Sequence, residues 1–323
     1  MNCKRWRKEG DMKRLVLLGL IVGLVGLAFS AEYTFYFVTH GVVGDPWWAP
    51  VVKGVEDAAR LLGVRVVYVG LERWDLALLK ANLEAAILAE PDGIILTITS
   101  YEVLDEPARM AIGRGIPIIA VNVPDPRPAG ERIPYLAYVG QQEFQAGKAL
   151  AERVVREFIP KAAVVMITEP GHVGLEARTA GIKSVLEPLG TKVDVLDVTA
   201  DPALHGPILE SYLIGHPEVD MVFALGPSDA WAAIQVVKEM GKVGQIRLAT
   251  IDVDPRIAEA IMEGVMICAV AQQPYMQGFI PVVWMYLHLK YGFIPPDVPT
   301  GPAVIDKDNV DSVMLQIKTT GGA

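Results

Sequence analysis

Cysteine is nearly absent from this 323-residue chain: it has only Cys3 and Cys268. Cys3 precedes a long apolar run and Cys268 sits in the apolar stretch 265–271, so no internal disulfide is expected and the fold must rely on its core. A basic excess is absent too. Lys and Arg number 29 against 38 Asp and Glu, for a formal net charge of −9. With no basic stripe beyond the N-terminus, nucleic acid is excluded as a partner, because phosphate recognition needs clustered Lys and Arg. Phosphate loops are missing as well. Gly140 and Gly147-Lys148 lie too far apart for one, and Gly171-His172-Val173-Gly174 lacks dinucleotide spacing. The five histidines form no cluster with Cys or carboxylates at metal-ligand spacing, so neither metal nor cofactor is expected.

An apolar fraction of 52% with 21% charged residues describes a packed globular protein, and the length allows two domains. Lys13-Arg14 precede an apolar run, Leu15 to Phe29, and Ala28-Phe29-Ser30 has the small-x-small pattern read by signal peptidase. That run is shorter than the roughly 20 residues of a spanning helix, and a strand pattern starts at Tyr33. A leader of residues 1–31, cleaved after Ser30 or Ala31 and with Met12 as a true start, is therefore expected over a retained anchor. Cys3 lies upstream of the run, so it is no lipid-attachment site. The mature protein is expected in the periplasm, not as a lipoprotein.

From Tyr33 the chain alternates Val/Ile-rich strands with amphipathic helices, the mark of parallel sheets covered on both faces. Expected strands are 33–38, 65–69, 93–97 and 116–121, with helices at 51–62, 75–89 and 107–114 between them. After Gly140 the rhythm restarts: helix 143–158, strand 162–168, helix 175–186, strand 192–198, helix 207–214, strand 221–225, helix 230–240 and strand 246–251. Helix 255–263, strand 266–271, helix 276–291 and a short strand 303–305 complete the chain. The Pro/Gly-rich stretch from Pro295 to Pro302 excludes regular helix and suits a crossing between lobes. The fold class is thus α/β, with two similar doubly wound lobes.

An internal echo supports two lobes. The stretch from Glu90 to Asn122 and the stretch from His216 to Asp252 share a strand, helix, strand layout, each ending in a side chain that hydrogen-bonds. Open parallel sheets bind ligands beyond the carboxyl ends of their strands. Facing sheets would therefore gather Asp45, Asn122 and Asp252 around one cleft. Asp45-Pro46-Trp47-Trp48 follows the first strand and supplies a carboxylate beside two indoles, suited to a flat, partly apolar ligand rich in hydroxyls. The structural alternative is that one indole plugs the core and the other caps the helix start.

These residues resemble the ribose-type sugar-binding proteins of ABC importers, the type I periplasmic binding proteins, from about Tyr33 to Asp306. Asp45-Pro46-Trp47-Trp48 stands where that family has an Asn-Pro-Phe-Phe-like motif, whose first residue bonds hydroxyls and whose aromatics sandwich the ring. Asn122 takes the place of the family's Asp in a Thr-Leu-Asp-Arg segment, and Val123 replaces its Arg. Arg178, in Arg178-Thr179-Ala180-Gly181, matches a ligand-binding Arg. Asp252 matches the strand-end Asp, and Gln272 the Gln near the hinge. Gly226-Pro227-Ser228-Asp229 replaces a Gln-Asn-Asp, leaving Ser228 and Asp229 as alternatives for one role.

The resemblance implies a hinge of three interlobe strands, near 138–141, 272–273 and 302–304. It implies an N-terminal lobe of 32–139 plus 273–302 and a C-terminal lobe of 140–272 plus 303–323. Expected partners are a small neutral sugar or polyol, the transporter's membrane subunits and a chemoreceptor, with the protein a monomer and not an enzyme. Arg178 against Asp45 and Asp252 favours an uncharged ligand, although two carboxylates leave a cationic group open. The competing reading is a secreted serine esterase. Ser228 would sit in a Gly226-to-Ala230 elbow, with His40-Gly41-Val42-Val43-Gly44 as oxyanion loop and Asp252 or Asp254 and His288 completing a triad. The 188 positions from His40 to Ser228, across the lobe boundary, count against it.

Overall fold

The alternation of strands and helices folds into two six-stranded sheets carried by residues 33–323. The computed structural model describes residues 31–42 and 44–323, so the expected leader, except Ala31, lies outside the described residues. The first sheet holds β1 (Thr34–Val42), β2 (Arg65–Leu71), β3 (Gly93–Leu96), β4 (Ile118–Val121), β5 (Tyr138–Gly140) and, from the tail, β11 (Val298–Pro299). The second holds β6 (Ala162–Ile167), β7 (Lys192–Asp197), β8 (Met221–Ala224), β9 (Arg247–Ile251), β10 (Met266–Ala271) and β12 (Ala303–Asp306). Their orders, β11-β5-β4-β3-β1-β2 and β12-β10-β9-β8-β6-β7, are the same pattern twice. All pairs are parallel except β10 with β12. In both sheets the strand order reverses beside the first strand of the lobe, which is where an open α/β sheet leaves a crevice.

Helices α1 (Trp48–Leu62), α2 (Leu76–Leu88), α3 (Tyr101–Gly113) and α9 (Pro274–Tyr291) cover the first sheet. Helices α4 (Glu143–Val155), α5 (Val173–Leu186), α6 (Pro202–Gly215), α7 (Pro227–Glu239) and α8 (Pro255–Met262) cover the second, and α10 (Met314–Thr320) packs beside α8. Side chains alternate between faces with the strand period of two. Phe35, Phe37, Ile95 and Ile119 face α1 and α9, while Ile94, Leu96 and Ile118 face α2 and α3. Cys268 is buried in the second core, and burial pushes its thiol up to about 12.

Several boundaries differ from expectation. β1 runs on to Val42, so His40 and Gly41 belong to a strand rather than a loop. Two helices expected to start at Pro107 and Pro207 begin earlier, at Tyr101 and Pro202, and carry those prolines inside them. For α6 the true start is marked by Asp201, whose carboxylate accepts the Ala203 amide at 3.0 Å ahead of a proline in the first turn. An interior proline costs one hydrogen bond, and tertiary packing of the rest of the helix outweighs it.

The chain passes between the sheets at Gln141–Gln142, at Gln272–Gln273 and at Thr300–Pro302. Just after the first passage, α4 lies against α5 backbone to backbone. A Cβ added at Gly147 would sit 1.9 Å from the Arg178 carbonyl oxygen, and one at Gly181 would sit 2.2 Å from that of Phe144. This close approach brings Glu143 beside Arg178. Replacing Gly147 with Ala is expected to cost about 1–3 kcal/mol through overpacking, read as a lowered denaturation midpoint in urea. Gly113→Ala, where a Cβ meets nothing within 4 Å, is the control and should leave the midpoint unchanged or raise it.

Candidate ligand-binding site

Residues at the carboxyl ends of the strands line a cavity of about 70 Å³ between the sheets. That is room for roughly five waters, or for one small ring in their place. All nine residues picked from the sequence line it: Asp45, Trp47, Trp48, Asn122, Arg178, Ser228, Asp229, Asp252 and Gln272. Asp45, Trp47 and Trp48 follow β1, Asn122 follows β4, Asp252 follows β9 and Gln272 follows β10, while Arg178 projects from α5. Asn122 and Asp252, equivalent in the internal echo, both have left-handed backbones, with φ of 62° and 78°. Asn and Asp tolerate that region better than most residues, and the turn re-aims each side chain as its strand ends.

A hydrogen-bonded chain crosses the cleft. The Trp47 indole N–H donates to Asp252 Oδ1 at 2.7 Å, and the Gln272 amide donates to the same oxygen at 2.6 Å. Gln277, fully buried in α9, donates to Gln272 Oε1 at 3.1 Å and to Thr300 Oγ1 at 3.1 Å, and accepts from Asn122 at 3.2 Å. The two indoles do not form parallel walls. Their rings meet edge to face, centroids 4.6 Å apart at 81°, and both are buried. Trp47 therefore acts through its N–H as much as its face, and the expected two-ring sandwich corresponds to an L-shaped corner. Asp45 also has the local role of a turn residue, accepting the Trp47 amide at 3.0 Å.

Arg178 is buried rather than on a solvated helix face. Its Nε and Nη2 donate to the two carboxylate oxygens of Glu143 at 2.5 and 3.0 Å, and Nη1 donates to the Leu225 carbonyl at 2.7 Å. Burial opposes the guanidinium charge, but Glu143 more than offsets that and holds Arg178 ionised. The expected balance of one guanidinium against two carboxylates does not hold in the cavity. Glu143 takes the guanidinium, and Glu169 joins Asp45, Asp229 and Asp252 on the wall. Burial drives these acids up: Asp45 to about 6, Asp229 and Asp252 to about 7, and Glu169, with Asp45 beside it, to about 8.

Sequence reasoning passed over His172 and Glu169 as site residues, and weighed His40 only as part of an oxyanion loop. Spacing could not reveal them, because His40 comes from β1 and the other two follow β6. His172 Nδ1 caps α5, accepting the amides of Gly174 and Leu175 at 3.0 and 3.3 Å. Its proton therefore sits on Nε2, which lies 3.3 Å from His40 Nε2, and His40 keeps its own proton on Nδ1, 3.0 Å from Thr97 Oγ1. Trp74 stacks on His172, centroids 5.7 Å apart. Burial first, then neighbouring charge, lowers both rings, His172 to about 3 and His40 well below the ordinary range. With Glu169 the pair forms a set within 4.8 Å, a composition that suits a divalent ion. While Nδ1 caps the helix, however, neutral His172 has no lone pair for a metal, and ligating histidines use that second nitrogen as a donor.

The triad residues do not assemble. His288 does not line the cavity, and its Nδ1 lies 2.8 Å from the Phe293 carbonyl oxygen just beyond the end of α9. Both ring nitrogens of His40 are already engaged.

Residues 35–292 match the family described as Periplasmic binding protein domain. The chain belongs to that family. It is 29% identical to the Xylose/arabinose-binding protein XylF of Sulfolobus acidocaldarius over 301 residues, 89% of this chain and 74% of that protein. It is 23% identical to the D-allose-binding periplasmic protein of Escherichia coli, covering 79% of this chain and 85% of that one. Among solved structures, a carbohydrate transporter from Acidothermus cellulolyticus in complex with myo-inositol superposes with a TM-score of 0.83 at 29% identity. The match covers 90% of this chain and 99% of that one. Family membership agrees with the resemblance and fold class read from the sequence.

The shifted groups set the pH response of the ligand-free protein. A carboxyl raised on folding stabilises fully below its unfolded pKa and loses that contribution as pH rises through its folded value. The histidines, lowered on folding, contribute above about 6.5 and lose it as pH falls toward 3. Between pH 8 and about 7.5 the carboxyl effect dominates, so the melting temperature should rise as pH falls through that window. Glu169→Gln should flatten the slope, measured by differential scanning calorimetry.

Proposed function

We infer that this chain is the exported receptor of an ABC importer, holding a sugar or polyol between two lobes and passing it to the transporter's membrane subunits. The observation that carries this is a cavity at the meeting of the strand ends, lined by acceptors, an amide pair, a guanidinium and two indoles. Hydroxyls both donate and accept, and carbohydrate C–H faces pack on indole, so each lining group has a use. The xylose/arabinose-binding relative and the myo-inositol complex support this ligand class. We take the lobes as 32–139 plus 273–302 and 140–272 plus 303–323, with the three glutamine- and threonine-bearing passages as hinge. A ligand that contacts both lobes only when they are closed favours the closed population. In this reading the protein is a binding protein and not an enzyme, is delivered to the periplasm by a cleaved leader without a lipid anchor, and acts as a monomer. A chemoreceptor is a second partner for the closed form.

A thermal-shift screen of pentoses, hexoses, tetritols and inositols should give at least one hit without turnover. Remeasured on Asp252→Ala and Arg178→Ala, affinity for that hit should fall about ten- to a hundredfold, the range for a lost hydrogen bond to a charged group. A hit that survives both substitutions unweakened contradicts the site assignment.

A further inference from the structure

The cavity holds more acid than an uncharged guest requires. Its one guanidinium is matched by Glu143, which lies behind the wall. Asp252 is served by Trp47 and Gln272. Asp45, Glu169 and Asp229 accept backbone or ring N–H groups at most, and among the described residues no Lys or further Arg lines the cavity. Asp229 is 1% exposed; its Oδ2 accepts the Leu225 amide at 2.7 Å, while buried Oδ1 makes no well-formed hydrogen bond and has only the nearby Gly226 and Asp229 amides to support its charge. A buried acceptor without a well-formed bond is costly, so this oxygen points to a guest that brings one. Asp45 and Glu169 also line a second space of about 660 Å³ adjoining the first, which Glu210, Glu239 and Arg256 border further out. Asp45 and Glu169 thus stand where the two spaces meet, and Asp229 lines the inner one.

Donor supply separates the candidate guests. A hydroxyl donates one hydrogen bond and an ammonium three, whereas ionised carboxylates only accept. We propose that the ligand is a polyhydroxylated compound bearing a protonated amine, an amino-deoxy sugar or amino polyol, with its ammonium seated among Asp45, Glu169 and Asp229. This deepens the sugar-receptor reading and rests on it. Without such a cation these acids take up protons instead, as burial and their mutual repulsion favour. The other titratable groups facing them are His172, whose Nε2 lies 3.7 Å from Glu169, then His40, Arg178, Asp252 and, beside Asp45, Tyr68, with His205 on the side of the outer space. Seating the cation expels the protons held by the acids, so affinity for the amine rises from pH 6 to pH 8 for as long as the amine itself stays charged. An uncharged guest gains nothing from that rise.

The test is isothermal titration calorimetry of the full chain at pH 6, 7 and 8 with matched pairs. These are 2-amino-2-deoxyhexoses against hexoses, amino-deoxyinositols against inositols, and 1-amino-1-deoxypentitols against pentitols. The expected result is that an amine binds at least tenfold more tightly than its hydroxyl parent at pH 7. For the 1-amino-1-deoxypentitols, whose alkylammonium stays charged, that ratio should grow at pH 8; for every pair it should fall toward one in Glu169→Gln and Asp229→Asn. The pH slope on the unsubstituted protein decides the matter even if a variant does not fold. Binding of a sugar or polyol with no amine preferred, or an amine preference insensitive to pH and to both substitutions, overturns the ammonium assignment and leaves the sugar reading standing. Failure of every amine and every parent to bind overturns the sugar reading itself.

Discussion

One oxygen ties the two sheets together. Asp252 Oδ1 receives the Trp47 indole N–H from beyond β1 and the Gln272 amide from the end of β10. Through Gln272 and Gln277 the same chain reaches Asn122, the counterpart of Asp252 in the other lobe. Every member is buried, and buried polar networks are stable only when their partners are supplied. The bond from Trp47 to Asp252 joins residues carried by the two sheets. In the proposed reading, the hydroxyls of a guest are alternative partners for these atoms.

The fold was legible because a parallel sheet covered on both faces writes itself as continuous Val/Ile strands at helix-length intervals. The repeated layout ending in Asn122 and Asp252 corresponds to equivalent strand ends in two sheets of the same order. What escaped depended on contacts distant in sequence. Glu143 looks like an ordinary acid in the first turn of a helix until the Gly147 and Gly181 contact brings it onto Arg178. His40 and His172 are 132 positions apart and meet only because β1 and α5 belong to opposite lobes. Gln277 left a faint trace, an amide in the otherwise apolar start of α9, and the hydrogen-bond demand of that position was invisible in one dimension. Interior prolines misplaced helix starts for a simpler reason: Pro favours the first turn, yet three-turn helices bear one inside when packing holds them.

The site's electrostatics differ from a plain balance of charges. The single guanidinium is a buried, pre-oriented donor held by its own carboxylate, and the wall is otherwise rich in acids whose ionisation burial resists. Such groups accept hydrogen bonds strongly when ionised and donate when protonated. In the proposed site, proton uptake and guest capture therefore compete for the same oxygens. The histidine pair behind them, neutral and fixed in tautomer by the cap of α5, adds a polar seam between lobes without charge.

The central claim is that the two lobes close over one guest at these strand ends. Small-angle X-ray scattering of the protein, recorded before and after saturation with a ligand identified by calorimetry, tests it most directly. The account predicts a smaller radius of gyration and a narrower distance distribution in the bound state. Superimposable profiles at full saturation would contradict it.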